Sequence, residues 1–553
     1  MSNVLGSAEW STDPGHWRYE PLGNAGSAIH GGCFLLLGEN PNAAGCLHVR
    51  APRQHMLSIA PTRSGKGVSL IIPNLLTYQG SVLVIDPKGE NAWVTAERRR
   101  ALRQTVYIVD PWNEVNRIYG SAAGSLESIA KFNPLSILKP GSDDFVEDLA
   151  YLADALIITE SEKEPYFDNT ARELWAGLMA YVVENPAFGA HASLELARKL
   201  LMKSNEELGR TIRSAIDLGS DSVAAQKLAQ FEDFKEITSI MSVISSARTQ
   251  TAFLDAPNLN QGMNGSDFSF EELCAGNASI YLVLPSDKLK TYARWLRLMV
   301  SIAIRAVTRR GSQSPLGLPV LFMLDEFGTI GKLNAVAQAY GLAAGRGMIM
   351  WTFSQDLNQL KRDYPQEWET FIGNSQAITC FGVMDNFTAE YISRKLGTST
   401  IEHPNVSTTH DALTSVNTST TTSIQTMSRP LLHPDEVCRL DANFAIIMGN
   451  FPPIYSRRIV YHKDWDLLHF AREDPNFPRT EDVRWRALQR RLFEMGSVAR
   501  LLEEYDYEVK ALRGGRYEVT GKAGSGKPAH TFASDDDLWR WTYVLAMDDV
   551  DSA

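Results

Sequence analysis

One short stretch of the chain has residue types that suit phosphate binding. Residues 60–67 read APTRSGKG, follow the short apolar segment Met56–Ile59, and precede the strongly apolar segment 68–76. A strand, a turn of small residues ending in Gly-Lys and then a helix is the layout of a P-loop. In that layout backbone N–H groups, the helix N-terminus and the lysine, here Lys66, all face phosphate oxygens.

The match to the usual P-loop pattern departs at both ends. Ala60 stands where the first glycine is usual, and Gly67 stands where a serine or threonine usually binds magnesium. We therefore expect the magnesium hydroxyl to come from Thr62, Ser64, Ser69 or water. Taken alone, the stretch fits a chance glycine turn equally well, so the prediction depends on partners elsewhere in the chain.

An acidic pair further along the chain supplies such a partner. Asp325 and Glu326 follow the apolar run Leu321–Leu324, which places them at the end of a buried strand. There Asp325 would hold magnesium and Glu326 would polarise a water towards the γ-phosphate. An acidic pair that merely caps a strand is common, but downstream of a P-loop in an α/β chain we favour the catalytic interpretation.

Two further polar residues suit roles in phosphate chemistry. Gln355 ends the next strand, 347–355, which we expect to lie beside the strand that ends at Asp325. There it would sense the γ-phosphate or orient the attacking water, although a plain strand-end glutamine is the alternative. Arg346 lies on a glycine-flanked loop before that strand and could reach a neighbouring subunit's nucleotide as an arginine finger. The alternative, that Arg346 is simply a solvent-exposed arginine on a loop, explains the sequence almost as well.

Strands alternate with helices around these residues, which predicts a doubly wound α/β sheet. The apolar segments 81–85 and 106–109 each end in Asp-Pro, at the sheet edge where ligands collect. We predict nucleotide-binding segments at 1–142 and 256–464, an all-α insertion at 143–255 and a C-terminal α+β module at 465–553. Within the second segment, the Thr/Ser-rich residues 398–428 are expected to form a mobile loop or an exposed insertion.

Two other patterns are set aside. A second GxxxxGK pattern, Gly521–Lys527, lies between strand-like residues and is expected to be a hairpin loop rather than a nucleotide site. The basic run Arg98–Arg100 is expected to be a solvated helix face.

Chain length, net charge and cysteine content limit the classes of protein to which this sequence can belong. A chain of 553 residues should form two or three domains. Its net charge of −11 argues against a broad basic surface for nucleic acid. Five scattered cysteines without a CxxC pair fit a reducing compartment. Because neither a signal peptide nor an apolar run near ~20 residues is visible, a soluble, cytoplasmic protein is predicted.

Taken together, these motifs resemble the coupling ATPases of type IV secretion and conjugation, the TraG/TraD-like family. The resemblance runs from about residue 55 to about 453, and in that family glycine commonly follows the P-loop lysine. The matching segments, in the expected order, are Ala60–Val68, Ile72–Leu76, Asp86–Glu90, Phe132–Leu135, Leu324–Phe327 and Ser354–Leu357.

The resemblance implies a RecA-like motor that binds ATP and Mg²⁺ and forms a hexameric ring. The resemblance assigns phosphate binding to Lys66, magnesium binding to Asp325 and activation of the attacking water to Glu326. It makes Gln355 the sensor of the γ-phosphate. Arg346 would be the arginine finger that reaches the nucleotide of a neighbouring subunit, with Arg394 a weaker candidate. The nucleotide would be held by Pro61, Thr62, Arg63, Ser64, Gly65, Lys66, Gly67 and Val68.

The implied partners are other copies of the chain, the channel ATPases and inner-membrane components of the secretion system, and the cargo. That cargo would be a relaxase with single-stranded DNA or an effector protein. Family members usually begin with transmembrane helices, which this sequence lacks. This favours either a naturally soluble variant that partners dock to the membrane or a form lacking its membrane anchor. We expect a cytoplasmic protein, peripheral at the inner membrane, that meets the membrane only through partners. The alternatives are a catalytically weak recruiting adaptor and an FtsK-like DNA translocase.

Overall fold

The computed structural model describes most of the chain between residues 54 and 480 and parts of both ends. The described residues are 7–11, 34–39, 46–50, 54–120, 126, 129–158, 165–232, 240–342, 344–410, 417–440, 443–449, 452–480, 498–512, 516–532, 538, 541–542 and 545. The sequence also predicts helices at 484–505 and 535–546 in the C-terminal module, of which residues 484–497 and most of 535–546 lie outside the described residues.

The strands fall into one large sheet, one hairpin and one small sheet. They are β1 (Phe34–Glu39), β2 (Cys46–Arg50), β3 (His55–Ile59), β4 (Val82–Asp86), β5 (Thr105–Val109), β6 (Ala278–Val283), β7 (Val320–Leu324), β8 (Met348–Ser354), β9 (Ser375–Cys380), β10 (Thr398–His410), β11 (Asn417–Pro430), β12 (Asn443–Met448), β13 (Ile454–Arg457), β14 (Tyr507–Leu512), β15 (Arg516–Gly521) and β16 (His530–Phe532).

The large sheet has 11 strands in the order β2-β1-β13-β12-β9-β3-β8-β7-β4-β6-β5. All strands from β9 to β5 in that order run parallel, whereas β12, β13, β1 and β2 continue the sheet in antiparallel fashion. The central strands β3, β4, β7 and β8 are buried along their whole length, as expected for parallel strands covered by helices on both faces. The α/β fold class predicted from the sequence is confirmed.

The α-helices cover the sheet and fill the interval between β5 and β6. They are α1 (Ile72–Thr77), α2 (Glu90–Ala101), α3 (Glu114–Tyr119), α4 (Phe145–Leu156), α5 (Pro165–Glu184), α6 (Leu194–Leu201), α7 (Asn205–Ile216), α8 (Val223–Leu228), α9 (Ile240–Gln250), α10 (Pro257–Gly262), α11 (Leu289–Arg310), α12 (Phe327–Ile330), α13 (Asn334–Leu342), α14 (Leu357–Asp363), α15 (Trp368–Gly373), α16 (Asn386–Leu396), α17 (Pro434–Cys438), α18 (Trp465–Phe470) and α19 (Val498–Glu504). Within the described residues, none is both long and apolar enough to cross a bilayer.

The helical region between β5 and β6 packs around α5, whose Trp175 is fully buried. It is joined to the sheet through the Phe132–Leu135 segment. The Asn133 side chain accepts a hydrogen bond from the N–H of Leu135 and donates one to the carbonyl of Ala192, 2.7 Å away. Phe132 stacks edge-on to Phe270 in the shared core. This asparagine therefore fixes where the helices leave the sheet.

The predicted loop at 398–428 is wrong. The described part forms a long antiparallel hairpin in which β10 pairs with β11 from Thr398–Pro430 to His410–Asn417. Threonine is β-branched and favours extended backbone, so a run of threonines builds strands even where apolar side chains are few.

The segment 465–480, assigned from sequence to the C-terminal module, instead packs on the main core. Leu467 and Ala471 are buried in that core, and the indole of Trp93 on α2 donates to the carbonyl of Glu473 at 2.8 Å. Charged residues between these apolar ones concealed the packing face in the sequence. A separate small core holds the later residues Leu502, Tyr507, Val519 and Leu538.

The basic run on α2 is also not the solvated face that the sequence suggested. Arg99 is fully buried, and its guanidinium donates to the carbonyls of Tyr78 and Gly80 and to the hydroxyl of Ser279. Burial lowers the pKa of Arg99 to about 10, so it remains charged. Only Arg100 of the run is exposed. Arg99 thus ties the chain between α1 and β4 to the sheet.

Replacing Arg99 with methionine should lower the free energy of unfolding by roughly 3 kcal/mol, because buried carbonyls lose their donor. Arg100→Met, on the next and exposed position, is the matched control and should change it by less than about 0.5 kcal/mol. Denaturant unfolding of both variants measures the difference. Equal effects would contradict the structural role given to Arg99.

Candidate active site

Sheet order brings the motif residues to one edge. The P-loop follows β3, Gln355 follows β8 and Asp325 follows β7, and these three strands are neighbours in that order. Because they run parallel, their carboxyl ends lie at the same edge of the sheet, where open α/β folds bind ligands. The expectation that the strands ending at Gln355 and Asp325 are adjacent is confirmed.

The P-loop is a tight turn that leads into a helix. Arg63 and Gly65 have positive φ angles of 65° and 90°, and the Ser64 hydroxyl closes the turn by donating to the Pro61 carbonyl at 2.6 Å. From Gly67 to Ile71 the backbone forms a π-helical turn that continues into α1. The helix N-terminus, with its unpaired N–H groups, therefore begins at Lys66, as phosphate binding requires.

Lys66 meets both carboxylates of the acidic pair. Its Nζ lies 3.1 Å from Asp325 Oδ1 and 2.6 Å from Glu326 Oε1. Gln355 Nε2 donates to the other oxygen of Glu326 at 2.8 Å, and Gln359 Nε2 donates in turn to Gln355 Oε1 at 3.1 Å. Lys66 is only 7% exposed, so this cluster lies largely out of water.

The surroundings of the cluster shift the pKa values of the two carboxyl groups in opposite directions. Burial raises the pKa of Asp325, and the charge of Lys66 only partly opposes this. Burial also acts on Glu326, but there the charge and hydrogen bonds of Lys66 and Gln355 prevail and lower its pKa. For Lys66 the effect of burial is outweighed by Asp325 and Glu326, so its pKa is raised. A pair of carboxyls with opposite shifts suits two different roles.

The backbone of Glu326 carries strain. Its φ and ψ are 51° and 36°, in the left-handed region that non-glycine residues rarely adopt. Such conformations concentrate at functional sites, where the surrounding structure holds them. Here the N–H of Glu326 donates to Asp325 Oδ1 at 2.9 Å, which turns the Glu326 side chain back towards Lys66.

Arg346 is not brought into this cluster. It precedes β8, whereas Gln355 follows it, so Arg346 lies at the opposite sheet edge, about 23 Å away at ~3.3 Å per residue. Its side chain is exposed, as is that of Arg394 near the end of α16. From this position Arg346 does not reach the cluster of its own chain.

The residues present fit a magnesium ion. Asp325 supplies the hard carboxylate oxygen that Mg²⁺ prefers. Of the candidate hydroxyls, that of Ser64 is engaged with Pro61, whereas Ser69 Oγ is buried without a hydrogen-bond partner among the described residues. A Cβ placed on Gly67 would meet nothing within 4 Å, so the usual position of the magnesium hydroxyl is open space.

Two residues at this site, Gln359 and Arg458, were not predicted from the sequence. Arg458, just after β13, donates from its guanidinium to the carbonyl of Ser64. No motif marks Arg458, because it follows an antiparallel strand and lies 394 residues from Ser64 of the P-loop in the sequence. The second GxxxxGK pattern, by contrast, is a loop between β15 and β16 where Lys527 donates to the Tyr505 carbonyl at 2.7 Å, and a strand rather than a helix follows.

The sequence matches a known protein family over most of its length. The model of the family described as Type IV secretory system Conjugative DNA transfer matches residues 22–495. The chain belongs to this family. The resemblance stated from the motifs is therefore confirmed.

Characterised members of the conjugative DNA transfer family align over most of the chain. The conjugal transfer protein TraG of Escherichia coli is 28% identical over 451 residues, which cover 74% of this chain and 68% of TraG. The protein VirD4 of Agrobacterium fabrum is 28% identical over 449 residues, which cover 78% of this chain and 60% of VirD4.

A solved structure shares the fold. The bacterial conjugative coupling protein TrwB, in its trigonal form with sulphate, superposes with a TM-score of 0.55 at 15% identity, covering 74% of this chain and 86% of TrwB. The family fold is thus the RecA-like α/β fold predicted from the motifs.

Asp86, in the family segment Asp86–Glu90, lies at the end of β4, beside β7. It is 1% exposed and accepts a hydrogen bond from the N–H of Ala92 at 2.8 Å, which caps the start of α2. Burial, against the hydrogen bonds it accepts, raises the pKa of Asp86 to about 7.

A raised carboxyl pKa favours the folded protein at low pH. The contribution of Asp86 is fully present below its ordinary pKa of 3.8 and is lost as pH rises through about 7. Asp86→Asn should remove this dependence, so the unfolding temperature of the variant should rise relative to that of the wild type between about pH 4 and about pH 7. A constant difference across that range, in thermal unfolding, would contradict the buried carboxyl.

Proposed function

We propose that this family member is an ATP-hydrolysing coupling protein that recruits DNA–relaxase complexes or effector proteins and drives them to a type IV secretion or conjugation channel. The observation that carries the proposal is the buried contact of the P-loop lysine with the acidic pair, Lys66 with Asp325 and Glu326. Family membership supports the transport role. TrwB, which shares the fold, has been solved with the ATP analogue ADPNP and with ADP and Mg²⁺.

Lys66 donates to one oxygen of the Glu326 carboxylate, and Gln355 donates to the other. Entering phosphates compete for Lys66, which would turn from Glu326 to the outer phosphate oxygens. Glu326 would thereby be freed to accept a proton from the attacking water, with Gln355 orienting that water or sensing the γ-phosphate.

Asp325 and a hydroxyl from Thr62, Ser64 or Ser69, or water, would hold the magnesium ion. When bound, the ion supplies positive charge that neutralises the phosphate oxygens as they separate. The P-loop residues 61–68 would surround the nucleotide phosphates.

The exposed Arg346 supports a ring assembly. Because it lies at the sheet edge opposite its own cluster, it would act on a nucleotide only from a neighbouring copy, as an arginine finger does. We propose a hexameric ring with Arg346, or less favourably Arg394, in trans. Contact with the inner membrane would be made through the channel ATPases and membrane components of the secretion system.

Measuring ATP hydrolysis with and without single-stranded DNA tests the proposal. Lys66→Ala should abolish nucleotide binding, and Glu326→Gln should lower kcat about 10²–10⁴-fold with binding retained. Lys527→Ala, in the other GxxxxGK pattern, is the matched control and should keep the wild-type basal rate. Wild-type hydrolysis no faster than that of Glu326→Gln would favour the recruiting adaptor instead.

Restoring the usual hydroxyl offers a test of the magnesium site. Gly67→Ser should fold, because a Cβ there meets nothing within 4 Å. It should lower the Mg²⁺ concentration that gives half-maximal hydrolysis several-fold, since a direct ligand is added. Gly67→Ala adds the same Cβ without the hydroxyl and should not. Identical magnesium curves for the two variants would place the ion away from residue 67.

A further inference from the structure

Arg458 makes a direct contact with the tip of the P-loop. Its guanidinium donates from Nη1 to the carbonyl of Ser64, and its Cζ lies 5.6 Å from the ring centre of Phe381. The arginine therefore lies between an aromatic face and the loop that would hold the phosphates. A charged donor to a backbone carbonyl is among the stronger hydrogen bonds in proteins.

The same guanidinium also packs against Gly65. A Cβ added to Gly65 would lie 2.9 Å from Arg458 Nη1, so only a glycine lets the arginine approach this closely. Gly65 has a φ of 90°, which presents its N–H in the direction that the P-loop turn requires. Arg458 thus braces the two residues that immediately precede Lys66.

Arg458 begins a segment, residues 458–480, that we call the strap. Its far part is fastened to α2: the guanidinium of Arg472 lies 3.7 Å above the Trp93 ring, and the N–H of Arg472 donates to the Val94 carbonyl at 2.8 Å. Arg98 of α2 covers the ring of Phe470 in the same way, at 3.7 Å. The strap therefore has two attachments, one to the P-loop and one to α2.

The positive charge of Arg458 should favour the binding of an anionic ligand at the P-loop. The positive charge of Lys66 is shared between two carboxylates, so a second cation at the same loop raises the potential where an anionic ligand enters. The planar guanidinium of Arg458 is fixed by its hydrogen bond to the Ser64 carbonyl, so it places this charge with less conformational freedom than a lysine side chain would have.

We propose that Arg458 is a positioning residue for the nucleoside triphosphate: it holds Ser64 and Gly65 in the phosphate-ready conformation, and the strap's attachment to α2 keeps it there. The proposal rests on the nucleotide-binding function proposed above. It adds a residue of the same chain, outside every recognised motif, to the determinants of nucleotide affinity.

The experiment compares binding of a non-hydrolysable ATP analogue with steady-state hydrolysis. Arg458→Ala should weaken analogue binding and raise KM at least tenfold, because a charged hydrogen bond to the loop is lost. Its kcat at saturating ATP should stay within about twofold, since Glu326 and Gln355 are untouched. Arg458→Lys should recover part of the affinity, because it keeps the charge without the planar fork.

Arg457→Ala is the matched control, since it removes the same charge from an exposed neighbouring position. It should leave affinity within about twofold of wild type. Arg472→Ala, which releases the strap from Trp93, should weaken binding in the same direction as Arg458→Ala and by less. Thermal unfolding without nucleotide shows whether each variant is folded; if Arg458→Ala is not, Arg458→Lys against Arg457→Ala decides.

Three results would overturn the proposal. They are unchanged affinity in Arg458→Ala, an equal loss in Arg457→Ala, and a fall in kcat without a change in affinity. Unchanged affinity in Arg472→Ala would overturn the role of the strap. A wild-type protein that binds no analogue would instead refute the nucleotide function itself, so the two failures are distinguishable.

Discussion

The placement of Lys66 between two buried carboxylates is the constraint on which the site depends. Asp325 and Glu326 follow each other at the end of a buried strand, and two carboxylates so close repel unless a cation lies between them. Lys66 supplies that cation. Any anion that attracts Lys66 therefore also changes the state of Glu326. In the proposed function, phosphate binding by Lys66 and release of Glu326 would therefore be one event.

That constraint explains why the sheet order matters more than the loop sequence. Lys66 can reach the acidic pair only because β8 alone separates β3 from β7, and Gln355 at the end of β8 then lies beside Glu326. The P-loop departs from the usual pattern at Ala60 and Gly67, yet neither residue takes part in the cluster. The departures would alter the surroundings of a bound magnesium ion, but they leave the contact between Lys66 and the two carboxylates intact.

Several segments that identify the family from sequence have structural rather than chemical roles. Asn74 exchanges hydrogen bonds with the backbone of Leu36 and so joins α1 to β1. Asn133 fixes the exit to the helical region, and Asp356 caps α14 through the N–H of Gln359. Such residues are recognisable because buried polar groups need one specific partner. They predicted the fold reliably because they hold its elements together.

The remaining features were hidden because no local pattern encodes them. Strand alternation and the motif residues predicted the parallel sheet and the cluster around Lys66, since period and spacing are local properties. The burial of Arg99, the strap and the contact of Arg458 with the P-loop depend on which distant surfaces meet. The threonine-rich hairpin was missed for a different reason: its strands pair with each other, so they need no apolar face to specify them. At this site the motifs supply the residues of the cluster, whereas Arg458, outside every motif, contacts the P-loop that carries Lys66.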